Sequence, residues 1–345
     1  MSGTSFDGVD AAIIKTDGQS YIKRIETSFI KYSNSEKALY QASILKNYKK
    51  ITNIIDNRHI QVIGKILKKF SKKVDVIGLH GQTFFHNPSS GWTWQYINSK
   101  KIMQHFKTNV VSDFRIADIN KGGEGAPLVP IFHKNLILQK SLDLPVGVLN
   151  IGGVSNITII KDKKDFIGFD TGPGNGPLDL LMYNRYKISM DENGNIANTG
   201  HINNRVKEKT LNLFKKNFRT LSFDRTNIDK TCLTYMASLD TKDALATLIA
   251  LITEIIYIKV QKYNLKKIII TGGGRKNHIL VKSLQRKFTA KVLVAEDIDL
   301  DGDSLEAEAF GYLAVRSILG KPYTFKNTSG VSKSSSGGIL FYYRG

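Results

Sequence analysis

The sequence predicts an α/β protein of two domains, and three observations carry that prediction. Its 345 residues are about twice the usual domain length of roughly 150. Of these, 41% are apolar, enough for a full-sized core and too many for a mainly disordered chain. Period-two alternation and helical spacing of apolar residues succeed one another in both halves, the pattern of strands and helices that share sheets. Each half also opens on a glycine-punctuated turn between apolar strands, Met1-Ser2-Gly3-Thr4-Ser5-Phe6-Asp7-Gly8 and Asn150-Ile151-Gly152-Gly153-Val154-Ser155-Asn156, an echo expected of a duplicated architecture. The division falls at 1–145 for an N-terminal domain and 146–345 for a C-terminal one, whose last segment is able to pack back on the first.

Taken in order, a short apolar strand is expected over Asp10–Lys15 and an alternating one over Tyr21–Ile30. Ser35–Lys73 sets apolar residues at helical spacing with lysines outside, which makes one or two amphipathic helices. Val74–Leu79 is a buried strand that ends at a loop, His80-Gly81-Gln82-Thr83. A second alternating block starts at Val146, continues through Asn156–Ile160, turns at Lys161–Asp165 and resumes over Phe166–Phe169. Leu178–Tyr186 reads as a helix, Asp243–Tyr263 as a long buried helix, Lys267–Thr271 as a strand and Leu305–Leu319 as the final helix. Ser332–Gly338, rich in serine and glycine, is expected to be loose.

Composition removes several classes. The single cysteine, Cys232, excludes an intramolecular disulfide framework and a clustered-cysteine zinc site, and points to a cytoplasmic chain. Met1–Asp7 has neither a basic start nor an apolar stretch, and the apolar run Leu245–Ile258 contains Glu254, so neither a signal peptide nor a membrane span is expected. With 50 Lys and Arg against 30 Asp and Glu the net charge is +20, which attracts anions in general. The basic residues are spread out, no stripe interleaves them with aromatics, and no nucleic-acid-binding signature is present. Abundant Lys, Ile and Asn together are the composition of AT-rich coding.

Phosphate binding requires backbone N–H groups that point into one concavity, with glycines to admit the anion. Three segments offer this, Gly3 to Gly8, Gly152 to Asn156, and Gly272-Gly273-Gly274 directly after Ile268–Thr271. The P-loop and the dinucleotide fingerprint are both absent. Two hairpin loops, the first carrying Asp7, and a glycine turn beside the adenine describe instead the sugar-kinase, hsp70 and actin type of ATPase. That type is a two-domain, ribonuclease H-like fold with an interdomain cleft. Asp170 stands at a strand end before a turn stiffened by Pro173, either a catalytic carboxylate or an Asx-turn or helix cap. Glu306 begins the last helix, where a carboxylate also offsets the helix dipole. Polar residues crowd Gly78–His86 and Ser112–Pro127; His80 and His86 lack the acid or cysteine partners of a metal pair and suit a sugar hydrogen bond. Arg115 suits a substrate carboxylate or an ion pair with Asp113 or Asp118.

Together these motifs resemble the anhydro-N-acetylmuramic acid kinase family, over nearly the whole chain. They are Met1 to Asp10, His80-Gly81-Gln82-Thr83, Asp113-Phe114-Arg115, Gly122-Gly123-Glu124-Gly125-Ala126-Pro127-Leu128-Val129-Pro130, Asn150-Ile151-Gly152-Gly153, Phe169-Asp170-Thr171-Gly172-Pro173-Gly174-Asn175, Gly272-Gly273-Gly274, and Glu306 with Ala309-Phe310. The resemblance implies ATP and Mg²⁺ as cofactors and a small-molecule substrate, 1,6-anhydro-N-acetylmuramic acid. Water opens the anhydro bridge while the sugar oxygen takes the phosphoryl group, giving N-acetylmuramic acid 6-phosphate in peptidoglycan recycling. Carried over by motif, Asp170 is the general base and Glu306 helps to hold the water. Gly3, Thr4, Ser5, Asp7, Gly8 and Asp10 form an ATP-phosphate loop; Gly152, Gly153, Gly272, Gly273, Gly274 and Asn277 complete the nucleotide site; His80, Gln82, Thr83, Asp113, Arg115 and Asn175 bind the sugar. No side chain ligates the metal directly, and Mg²⁺ arrives with ATP, reached by Asp7 through water. Dimerisation is common in the family, and neither a membrane nor a nucleic acid is among the partners implied.

Two departures from the family pattern stand out. The chain begins inside the Met-Ser-Gly-Thr-Ser motif, so the first strand is expected to be cut short or the start to be assigned late. Gly176-Pro177 replaces an apolar pair, and a proline in a first helical turn is tolerated. Competing classes are an ATP-independent glycosidase with Asp170 and Glu306 as its acid pair, an inactive or ATP-binding-only member of the same fold, and a nucleic-acid binder. The three glycine turns argue against the glycosidase.

Overall fold

Alternating apolar residues carry β1 (Gly8–Thr16) out of the opening turn and into an antiparallel hairpin with β2 (Ile22–Lys31), burying Val9, Ile13 and Ile22. The computed structural model describes residues 1–3, 6–42, 46–216 and 225–344. Next come α1 (Asn34–Ala42), α2 (Tyr48–Leu67), β3 (Val76–Gly78), β4 (Gln82–Asn87), β5 (Trp92–Tyr96), α3 (Ser99–Phe106), β6 (Asn109–Ser112), the single turn α4 (Ile116–Ile119) and α5 (Pro130–Gln139). The chain continues through β7 (Val146–Ile151), β8 (Val154–Ile160), β9 (Phe166–Pro173), α6 (Gly176–Tyr186), α7 (Asn204–Lys216), α8 (Arg225–Met236) and α9 (Thr241–Val260). It ends with β10 (Lys267–Thr271), α10 (His278–Lys287), β11 (Lys291–Val294), α11 (Leu305–Ile318) and β12 (Ile339–Phe341). Two units result, Met1–Ser141 with Ser304–Gly345, and Leu142–Asp303.

In the first unit β6 lies between β3, which is parallel to it, and β12, which is antiparallel. Helix α2 turns Ile51, Ile55, Val62 and Ile63 toward a core shared with Phe6, Val9, Tyr32, Leu79, Ile102 and Val110, the helical spacing read in its sequence. Helix α11, drawn with the second half in the sequence division, is part of this unit and packs on β1 and β3. The approach is so close at Gly78 that any Cβ there would overlap the carbonyl of Phe310. Thr83 and Gln82 open a strand where a loop was expected, because β4 pairs with β5 along its length. The Ser/Gly-rich stretch expected to be loose is tied down instead. Ser335 is 4% exposed and exchanges backbone bonds of 3.0 and 3.2 Å with Thr324.

The second unit is built on one sheet in the order β11-β10-β7-β8-β9. Strands β7, β8 and β9 run antiparallel in sequence, and β10 and β11 are parallel to β7, the ribonuclease H-like order. The central strands β7 and β10 are near-continuous apolar runs because both of their faces are covered. The 20-residue helix α9 is buried along most of its length in the same core as Leu149, Ile151, Ile157 and Ile268. Strand β9 continues beyond Phe169 to Pro173 by way of a bulge. Asn156 pairs with Asp170 and Ser155 with Gly172, so Thr171 is the extra residue. Gly172 accepts the strain at φ +140°, and Ser155 Oγ donates to the carbonyl of Pro173 at 2.6 Å. Pro177 sits in the first turn of α6, where its missing N–H has no partner to lose.

Candidate active site

The parallel pairing of β7 with β10 brings Asn150 beside Thr271, so the turns that leave these strands are neighbours at their carboxyl ends, where α/β sheets hold ligands. The first of these turns, Gly152-Gly153, accepts three backbone N–H groups from the segment after the bulge. Asn175 N–H donates to Gly152 at 2.7 Å, and Gly174 and Gly176 N–H donate to Gly153 at 3.0 and 3.1 Å. The Asn175 amide also donates to the Ile151 carbonyl at 3.4 Å. The second turn starts at Gly272, whose φ of +72° and close approach to Asn150 Oδ1 leave no room for a Cβ. Gly273 is exposed, and a Cβ built on it would meet only the Asn175 amide, at 3.4 Å. Gly152, Gly153, Asn175, Gly272, Gly273 and Gly274 therefore form one cluster of bare backbone beside the N-terminus of α6.

Three polar residues that the sequence reading did not single out shape this cluster. Arg275, 7% exposed, donates from Nη1 to the Gly272 carbonyl at 2.9 Å and pairs with Glu296 at 2.8 Å and Asp303 at 2.9 Å. Asp229 of α8, 6% exposed, sets its carboxylate over Gly176, at the positive end of α6. Lys259 of α9 donates from Nζ to the backbone carbonyl of Asp170 at 2.7 Å. A legible signal existed for Lys259, a charge inside the apolar run Ile255 to Val260; nothing local distinguished the other two. Asn277 stands at the far side of the turn as the N-cap of α10, accepting from Leu280 N–H at 3.1 Å.

In the first unit the opening turn is held from beneath. Gly3 accepts from Phe6 N–H at 3.2 Å and from Gln82 Nε2 at 3.1 Å. Gln82 is fully buried, and its Oε1 accepts from Ser2 Oγ at 2.5 Å, so its amide braces the turn. The side chain of Asp7 is exposed while its carbonyl accepts from Tyr32 N–H at 3.0 Å. Gly8 is buried against the Phe29 ring, and Asp10 exchanges backbone bonds with Met1 at 2.8 and 2.9 Å. Thr4 and Ser5 lie outside the described residues. Glu306, exposed in the first turn of α11, shares with Asp10 the electrostatic neighbourhood of the Met1 amino group.

The polar stretches beside β3 and β6 meet through Arg115. Its Nε and Nη2 reach His80 Nε2 at 3.1 and 2.9 Å, and its Nη1 donates to the Gly125 carbonyl at 2.7 Å. Asp113 adopts φ +58°, and its carboxylate accepts from Ser112 Oγ at 2.9 Å. Asp118 ties the same loop from its other side, accepting from Gly125 N–H and from Ser329 Oγ, both at 2.7 Å. Thr83 lends its carbonyl to the Tyr40 hydroxyl at 3.3 Å. Among the described residues no group of three or more His, Cys, Asp and Glu side chains is arranged to hold a metal ion, and no helix is long and apolar enough to cross a membrane.

Comparison with known proteins agrees along the whole chain. Residues 1–343 match the family model described as anhydro-N-acetylmuramic acid kinase. The anhydro-N-acetylmuramic acid kinase of Pelagibacter ubique is 38% identical over 99% of this chain and 96% of its own. That of Zymomonas mobilis is 37% identical over 99% of this chain and 98% of its own. This α/β protein with its glycine-turn cluster is a kinase, a phosphotransferase. It belongs to the anhydro-N-acetylmuramic acid kinase family.

Proposed function

We propose that this chain opens 1,6-anhydro-N-acetylmuramic acid with water and phosphorylates the freed O6 from ATP, giving N-acetylmuramic acid 6-phosphate in the cytoplasm. The observation that carries the reading is the setting of Asp170, which stands directly before the Thr171 bulge and four residues before Gly174, the start of the backbone cluster at Gly174 to Gly176. Asp170 takes a proton from the attacking water. The water oxygen bonds to C1, the C1–O6 bond breaks with its electron pair going to O6, and O6 takes the γ-phosphoryl group as ADP leaves. Glu306 helps to hold the water. ATP would supply the phosphoryl group, and Mg²⁺ bound with it would neutralise the charge of the transfer. The turns at Gly3 to Gly8, Gly152-Gly153 and Gly272 to Gly274 would hold the phosphates, and Asp7 would reach the metal through water. His80, Thr83, Asp113, Arg115 and Asn175 orient the sugar, with Gln82 acting through the opening turn that it braces.

The test is incubation of the purified protein with Mg·ATP and the anhydro-sugar in ¹⁸O-water, followed by mass spectrometry. The expected product has gained water plus one phosphoryl group, carries the label on the C1 hydroxyl, and forms one for one with ADP. Sugar opened without ADP would make the protein a glycosidase, and nucleotide binding without product would make it an inactive member of the family.

A further inference from the structure

Helix α9 offers the surrounding core an almost unbroken apolar surface, yet its last turn carries Lys259 with 9% exposure between Ile255, Ile256 and Val260. A buried ammonium is costly unless it is hydrogen-bonded and faces opposite charge. Lys259 contacts two consecutive residues of β9. Its Nζ donates to the Asp170 carbonyl at 2.7 Å, it lies 5.5 Å from the Phe169 ring centre, and the Asp170 carboxylate attracts it. One helical turn earlier, Ile255 packs against Gly172, so a single face of α9 grips both sides of the Thr171 bulge. Strand β9 is the outer strand of its sheet, where the ladder alone constrains the backbone less.

We propose that Lys259 is the positioning residue of Asp170, anchoring its carbonyl at the bulge so that the carboxylate keeps its aim, and favouring the ionised carboxylate by its charge. This rests on Asp170 being the general base. Burial lowers Lys259 to about 8, opposed by Asp170 and assisted by the like charge of Lys262 on the turn after α9.

The two effects separate by substitution. Lys259→Gln keeps a donor for the carbonyl without the charge, and Lys259→Met removes both. In Lys259→Met, kcat is expected to fall roughly 10- to 100-fold, a fraction of what loss of a general base costs, with KM for ATP unchanged. The acid limb of its pH–kcat profile is expected to move up by about one pH unit, as a carboxylate without its neighbouring cation titrates higher. Lys259→Gln is expected to recover most of kcat and to keep the displaced limb. If both variants match the unsubstituted protein in kcat and acid limb, the proposal is overturned. It is also overturned if Lys259→Gln is no faster than Lys259→Met at equal melting temperature. Where Lys259→Met does not fold, the limb of Lys259→Gln decides. Asp170→Asn is measured alongside: full activity there removes the base reading itself, whereas an inactive Asp170→Asn beside ordinary Lys259 variants removes only the present inference.

Discussion

Arg115 donates to Nε2 of His80 twice, from Nε at 3.1 Å and from Nη2 at 2.9 Å. A ring nitrogen that receives two such donors carries no proton of its own, so the His80 proton is on Nδ1, where the Gly81 carbonyl accepts it at 2.9 Å. Burial, reinforced by the Arg115 charge, holds His80 well below the usual histidine range. The neutral imidazole thus serves as a fixed acceptor that orients the guanidinium.

His80→Phe keeps the ring contact with Phe310, 4.6 Å away, and deletes that acceptor. With Arg115 then deprived of its hold on the imidazole, KM for the sugar is expected to rise about 10-fold, the cost of roughly one charged hydrogen bond, while KM for ATP stays as it was. Steady-state kinetics with each substrate varied in turn checks this, and an unchanged sugar KM would show that Arg115 needs no brace.

Acid stability follows from three histidines buried in the first unit, His59, His80 and His133, at 1%, 5% and 4% exposure. Burial lowers His59 to about 3 and His133 to about 4, from an ordinary value of 6.5. The unfolded chain therefore takes up protons below 6.5 that the folded unit refuses. The stability is complete above that value and declines as pH falls toward 4, by up to ~1.4 kcal/mol per pH unit for each histidine. Trp92 and Trp94, the two tryptophans of the chain, both lie in β5 of this unit, so intrinsic fluorescence reports its unfolding. The urea midpoint at about pH 5 is expected well below that at about pH 7.5; equal midpoints would contradict the assignment.

Arg275→Met removes the fork that ties Gly272 to Glu296 and Asp303. Both acids are about half exposed and regain water, so the fold is expected to survive. The turn loses its anchor, and KM for ATP should rise ~10-fold with kcat at saturation nearly unchanged. Arg275→Lys should rescue little, since an ammonium is a point donor and cannot bridge three acceptors in the same plane. Nucleotide titration by calorimetry reads both variants, and wild-type affinity in either would separate Arg275 from the nucleotide.

Asp170→Asn is nearly isosteric but cannot accept the proton of the water. Product formation is expected to drop at least about 100-fold while ATP binding persists. Turnover above about a tenth of wild type would put the base elsewhere.

How much of this was legible beforehand depends on range along the chain. Strands β7, β8 and β10 and helices α2, α6, α9 and α11 fall where alternation and helical spacing placed them, because periodicity is a property of neighbouring residues. The glycine turns were legible for the same reason, each abutting its own strand. The hairpin of β4 and β5 was not, since Gln82 and Thr83 become strand only by pairing with Tyr96 and Gln95. The sequence also could not tell that the Gln82 amide would face Ser2 and Gly3, eighty positions away along the chain.

By itself, the sequence determined the α/β class, the family and the residue types available for phosphate, sugar and proton transfer, all of which are carried by local patterns and ordered motifs. Tertiary structure alone decided which of those residues are braces and which remain open. Asp170 is held by a lysine 89 positions later, Gly78 must be glycine because α11 crosses it, and Ser335 is pinned by Thr324. Each of these depends on satisfying one buried polar group or fitting one close contact with a partner that only folding delivers.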